Sequence, residues 1–158
     1  PREKDLYVMF KTIARGMEPY IGRKNQYLSF VYVADLVSVI LGALTAETPN
    51  GLVCNISDGQ CYNRDEISIL TKKILNRKTF KFFVPVGIVR TLASVMETMY
   101  AHSKKTPLLY KERVGELTAP NWNCSIANAQ QYLQYQPKYD LEQGLTESLK
   151  WYKEHKWL

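Results

Sequence analysis

Four Tyr-x-x-x-Lys pairs are the first chemistry this 158-residue sequence offers: Tyr7/Lys11, Tyr20/Lys24, Tyr100/Lys104 and Tyr152/Lys156. On a helix that spacing can set a lysine ammonium beside a tyrosine hydroxyl, and the cation lowers the phenol's pKa toward a range useful for proton transfer. With 11 tyrosines and 14 lysines in the chain, about one match is expected by chance, and four rivals cannot all be active sites. Tyr20/Lys24 straddles a turn and Tyr152/Lys156 lies at the fraying C-terminal end, so none is taken as a catalytic dyad. A phosphate cradle would need closely spaced glycines between a strand and a helix. The eight glycines stand at 16, 22, 42, 51, 59, 87, 115 and 144, too far apart for a dinucleotide fingerprint or a P-loop. His102 and His155 show no metal-ligand spacing, no G-x-S-x-G elbow occurs, and Cys54, Cys61 and Cys124 form no C-x-x-C. The expectation is a chain with no complete catalytic constellation, no metal site and no cofactor held by its own residues.

Charge and hydropathy narrow the partners. The formal charge is +6 with an isoelectric point near 9.2, which raises the question of a polyanion. The one dense cationic run, Lys72, Lys73, Arg77, Lys78 and Lys81, reads as a solvated helix end and loop rather than a nucleic-acid groove. No apolar run approaches the ~18 residues of a membrane span, and the N-terminal PREKDLY has no charged-then-apolar leader. An odd number of cysteines fits a reduced compartment. A cytoplasmic protein without a membrane span is expected.

The elements that must position any site follow from periodicity. Leu6, Met9, Phe10 and Ile13 recur at helical spacing, with Gly16 as a left-handed terminator, predicting a helix over 4–15. PYIG and LSFVYV flank RKNQ and read as a hairpin or two neighbouring strands. Asp35 is placed to cap the helix LVSVILGALTA. LVCNI reads as a strand, and Asn63 with Glu66 forms a capping box for NRDEISILTKKIL. FKFFV is a further strand. Val89, Leu92, Ala93, Met96, Met99 and Tyr100 make a helical stripe expected to face the core, and KKTPLLYKERVGEL is a loop or short helix. Ser125 can cap IANAQQYL, and Asp140 with Gln143 frames a last helix with the face Leu141, Leu145, Leu149 and Tyr152. With 46% hydrophobic and 23% charged residues, the expectation is one globular α+β domain over 1–158. It is helix-rich, with a small sheet from strands near 19–22, 28–33, 52–56 and 80–84.

The order PREKDLYVMFKTIARG, LSFVYVADLV, GLVCNISDG, ERVGELTAPNWNCSIANAQQYLQYQPKYDLEQGL and a terminal WY resembles the C-terminal part of the extended short-chain dehydrogenase/reductases, the NAD-dependent epimerase/dehydratase family. Pro1 and Arg2 look like the end of that family's YGPR segment. The resemblance implies that the glycine-rich NAD(P) loop, the catalytic Ser/Thr and the catalytic Tyr-Lys pair lie upstream, and that NAD or NADP belongs to a longer parent. This chain would be its substrate-binding lobe, inactive alone. Its implied partners are a small-molecule substrate, the cofactor domain and further copies of itself. Arg113 in ERVGEL stands where sugar-nucleotide epimerases place an arginine on the substrate pyrophosphate, a task suited to a two-pronged guanidinium. The alternative is a surface cation beside Glu112 and Glu116. Leu28 stands where many sugar-nucleotide members carry a second arginine. That departure, with the apolar LSFVYV, the Met-rich segment Val86 to Met99 and KKTPLLYKERVGEL, looks more like the hydroxysteroid and sterol dehydrogenase branch and a less polar alcohol or ketone. A competing reading is a free-standing binding or self-association module derived from the same family.

Overall fold

Asn63 and Asp140 start their helices through reciprocal side-chain and backbone bonds. The Asn63 side chain accepts the Asp65 N–H at 3.2 Å, and Glu66 Oε1 accepts the Asn63 N–H at 2.8 Å. Asp140 Oδ1 accepts the Gln143 N–H at 2.8 Å, and Gln143 Oε1 accepts the Asp140 N–H at 3.1 Å. Each box satisfies two amides that a bare helix end leaves orphaned.

The computed structural model describes residues 4–100, 107 and 109–158. Its elements are α1 (Lys4–Ala14), β1 (Met17–Ile21), β2 (Tyr27–Leu28), α2 (Val33–Ala43), β3 (Tyr62–Asn63), α3 (Arg64–Leu75), β4 (Phe80–Val84), α4 (Val86–Tyr100), α5 (Lys111–Leu117), β5 (Asn121–Trp122), α6 (Ala127–Leu133) and α7 (Leu141–Glu154). The helix-rich α+β architecture agrees with the expectation from sequence. Gly16, at φ +82°, turns the chain from α1 into β1 in a conformation that costs a residue with a Cβ.

Three apolar clusters hold these elements. Phe10 of α1, Ile67 of α3 and Leu141, Leu145, Leu149 and Tyr152 of α7 form the largest. Val39 of α2 packs with Ile126, Ala129 and Tyr135, and Val89 and Ala93 of α4 pack on Val114 of α5. Gly144 lets α7 approach Tyr32 closely, since a Cβ there would meet the Tyr32 ring at 3.3 Å and press it aside by a few tenths of an ångström.

The strands depart most from expectation. PYIG and LSFVYV form no hairpin. β1 instead pairs in parallel with β4, Tyr20 opposite Phe83, while β2 lies between antiparallel β3 and parallel β5. The intervening α2 and α3 supply the crossover that a parallel pair requires. Strand 28–33 contracts to Tyr27–Leu28 because α2 already begins at Val33. Residues 52–56 form no strand. Their burial still alternates, with Leu52, Cys54 and Ile56 half-buried and Val53 and Asn55 exposed, but no neighbouring strand among the described residues offers them a ladder.

Three side-chain expectations are corrected as well. Tyr32, not Asp35, occupies the N-cap of α2 and makes no side-chain cap bond. Asp35 lies in the first turn, 1% exposed. Its Oδ2 accepts the backbone N–H groups of Lys138 and Tyr139, both at 3.0 Å. An earlier helix start turns the carboxylate inward, so it clasps the loop before α7. Ser125 sits one residue outside the α6 cap; its Oγ accepts the Ala127 N–H at 3.3 Å while Ile126 is the cap. On α4 the stripe is only half covered. Val89 and Ala93 are buried against Val114 of α5, whereas Leu92, Met99 and Tyr100 are exposed among the described residues.

Candidate substrate-binding site

Arg113 is positioned by α5. That helix is anchored where Val114 enters the α4 contact, and its first N–H, on Lys111, donates to Glu97 Oε1 of α4 at 3.0 Å. A carboxylate at a helix N-terminus is favoured by the dipole. With Val114 turned inward, the preceding side chain reaches across to α1. Arg113 Nη2 donates to both carboxylate oxygens of Asp5, at 2.7 and 2.6 Å. The hydrogen bond and charge of Asp5 push the Arg113 pKa above its ordinary value, so the guanidinium is a fixed cation. Neither Glu112 nor Glu116 pairs with it among the described residues. A phosphate or other anion arriving at Arg113 would have to share or displace Asp5. Leu28, the other position singled out in the sequence, is half-buried in β2 opposite Tyr62 and Trp122 and supplies no cation.

The three Tyr-x-x-x-Lys pairs that lie wholly among the described residues build no proton-transfer dyad. Lys11 Nζ lies 5.5 Å over the face of the Tyr7 ring, and the Tyr7 hydroxyl donates to the Trp157 carbonyl at 3.3 Å. Tyr20 is buried and donates to Glu18 at 3.0 Å. Tyr152 is a core residue, and Lys104 lies outside the described residues, as does His102. Resolved tyrosine shifts run against catalysis at neutral pH. Burial, joined by Glu18, pushes Tyr20 well up, and burial with the bond to Asp58 does the same to Tyr62. Burial with Asp35 and Asp58 takes Tyr135 to about 12. A general acid or base works best near ambient pH.

A second cluster, missed by the sequence reading, lies under β1. Glu18 is 3% exposed, and its carboxylate accepts from Tyr20 OH at 3.0 Å, Lys72 Nζ at 2.8 Å and Thr79 Oγ1 at 2.5 Å. Burial would raise its pKa, but these hydrogen bonds outweigh burial and hold Glu18 below the ordinary value. Its signal was the phase of MEPYI, in which Glu18 and Tyr20 share the inward face. The same ion pairing disposes of much of the cationic run, since Lys72 pairs with Glu18, Lys73 with Glu142 at 2.6 Å and Lys81 with Asp65 at 2.9 Å. A groove of about 570 Å³ lies between α1, residues 30–33 and α7, and neither Arg113 nor Asp5 lines it. Among the described residues no three His, Cys, Asp or Glu side chains converge as metal ligands, and the three cysteines are free. No described helix is long and apolar enough to cross a membrane.

No family model matches the chain. It is 26% identical over 152 residues to the uncharacterized protein y4nL of Sinorhizobium fredii, covering 91% of this chain and 41% of that one. It is 32% identical over 109 residues to the uncharacterized protein YbjS of Escherichia coli, covering 68% and 32% respectively. The chain thus spans well under half the length of these relatives. Among solved structures, the UDP-glucose 4-epimerase of Thermotoga maritima with UDP-glucose aligns over 98% of this chain and 41% of its own, at TM-score 0.70 and 18% identity. The UDP-glucuronic acid 4-epimerase of Bacillus cereus in complex with NAD aligns over 97% and 40%, at TM-score 0.67 and 18% identity. The dTDP-glucose 4,6-dehydratase of Bacillus anthracis in complex with NAD aligns over 98% and 40%, at TM-score 0.63 and 19% identity. The fold is therefore that of the C-terminal lobe of the Rossmann-type NAD-dependent epimerases and dehydratases.

Proposed function

We propose that this chain is the substrate-binding portion of an NAD(P)-dependent epimerase, dehydratase or alcohol/sterol-type dehydrogenase. The supporting observation is the alignment of 98% of the chain on two fifths of an epimerase solved with UDP-glucose. The residues present do not fit a dinucleotide. The four described strand-to-helix junctions, 28–33, 63–64, 84–86 and 122–127, contain no glycine to cradle a pyrophosphate, so no step is routed through NAD or NADP here. In this reading the chain's own work is to bind and orient the substrate, with Arg113 exchanging Asp5 for a polar or anionic substrate group. Leu28 shifts the preference toward a less polar alcohol or ketone. A cytoplasmic setting, which the three free cysteines suit, belongs to the same proposal.

The test is a titration with NADH, followed by its fluorescence, on chain 1–158 and on a product extended upstream in frame. The account expects no saturable micromolar binding by 1–158, and both binding and turnover in the extended product. Micromolar binding by 1–158 alone, or an extended product without binding, would overturn it.

A second reading, self-association, rests on the exposed apolar side chains of α2 and α4. Val33, Ile40 and Leu41 on α2 with Leu44 just after it, and Ile88, Leu92, Val95 and Met99 on α4, are exposed. Exposed apolar side chains of this kind favour association. Light scattering during gel filtration should find a dimer or larger species for 1–158. A stable monomer at high concentration would remove this reading and leave the first intact.

A further inference from the structure

The groove between α1, residues 30–33 and α7 has a lining that no part of the proposed substrate site uses. Its volume, about 570 Å³, is that of a small-molecule site. Six aromatic side chains contribute to it: Phe10, Phe30, Tyr32, Tyr139, Trp151 and Tyr152. Tyr32 and Tyr139 lie with ring centroids 4.5 Å apart, while Trp151 meets Tyr152 edge-on at 5.5 Å and carries the His155 ring stacked on one face at 4.0 Å, which leaves its other face for the groove. Gly144 keeps the groove's helix close to Tyr32, as a Cβ would press on that ring.

The charge of the rim is opposite to that of the chain. In a protein of net charge +6, the groove carries Asp58, Asp140, Glu147 and Glu154 against Lys150. Two of these carboxylates are committed to the fold: Asp58 accepts from Tyr62 OH at 2.6 Å, and Asp140 caps α7. Glu147 and Glu154 are exposed and enter no ion pair among the described residues. Aromatic faces carry negative quadrupole potential and attract cations lying over them. Carboxylates at the mouth reinforce that attraction and steer a cation inward.

We propose that this groove binds an organic cation, a substituted ammonium with an apolar body, between the aromatic walls and the Glu147/Glu154 rim. A neutral molecule of the same shape would gain the apolar contact without the electrostatic part, and a phosphate or carboxylate would be repelled. The preference for charge over shape is therefore the signature to measure.

The probes are choline and 3,3-dimethylbutan-1-ol, its uncharged isostere, titrated into chain 1–158 while the indole N–H resonances, assigned with Trp151→Leu, are followed by NMR. The expected result is saturable movement of the Trp151 signal by choline and a preference of about tenfold over the alcohol. The double variant Glu147→Gln/Glu154→Gln, altered only at exposed positions, should fold as the parent and lose most of that preference. Equal affinities, no movement of Trp151, or a preference unchanged in the double variant would overturn the proposal. So would loss of choline binding in an upstream-extended product, which would assign the groove to packing against the rest of the protein.

Discussion

The face of α7 and the face of α2 are built from similar sequence patterns and end in opposite states. On α7, Leu141, Leu145, Leu149 and Tyr152 recur at helical spacing, and all four are buried against α1 and α3. On α2, the continuous run VSVIL buries Val39, while Val37, Ile40 and Leu41 stand in solvent and the following Leu44 is 77% exposed. The neighbouring segment 52–56 shows the same imbalance, with a strand's alternation and no ladder. A periodic pattern specifies the element and its apolar faces. Whether a face is covered depends on what lies opposite it, and for α7 the chain itself provides that cover.

The sharpest way to break this comparison is a pair of truncations. Leu149→Ala should destabilise the chain by about 2–5 kcal/mol in urea unfolding, as a large-to-small change in a filled core does. Ile40→Ala on the exposed face should cost under about 0.5 kcal/mol; comparable losses would mean that α2 is covered, by a second copy for instance. Next in size is the clasp at Asp35. Asp35→Ala strips two backbone N–H groups of their shared acceptor and should cost about 1–3 kcal/mol, while Asp35→Asn keeps an oxygen and should cost less. Equal losses for the two variants would argue that the negative charge, not the acceptor, holds the loop.

Acid probes the other well-partnered region. Glu18 has a folded-state pKa below its ordinary value of 4.5, so its contribution is complete above that value and is lost as pH falls through the folded pKa. Stability should decline with falling pH below about 4.5 more steeply in the parent than in Glu18→Gln. Parallel profiles would show that the buried carboxylate gains nothing from Lys72, Thr79 and Tyr20. The smallest effect belongs to Arg113→Ala. Its pair with Asp5 is partly exposed and should contribute only about 0–1 kcal/mol to stability. In an extended, active product the same change should raise KM with little loss of fold. A variant that unfolds would make Arg113 structural rather than a substrate contact.

How much of this was legible in the sequence follows from locality. The Asn63–Glu66 and Asp140–Gln143 boxes and the α7 stripe depend on residues within four positions of one another, and they emerged as expected. The strand partners did not, because β1 meets β4 across some sixty residues and pairing at that range leaves no local mark. Asp35 was recognised as structural, but its partners, Lys138 and Tyr139, are 103 and 104 residues away, so a local cap was the natural inference. Of the candidate site, Arg113 was singled out, yet its partner Asp5 was not, since nothing near α5 points to α1. The aromatic groove was equally hidden. Its walls come from α1, residues 30–33 and α7, each of which reads separately as ordinary core.

The central claim, that this lobe works as part of a longer NAD(P)-dependent enzyme, is tested most directly by the intact mass of the native gene product and the reading frame upstream of Pro1. The account predicts a longer product with a glycine-rich loop and a Tyr-x-x-x-Lys preceding Pro1 in frame. A product beginning near Pro1 would contradict it and leave a binding module without hydride chemistry.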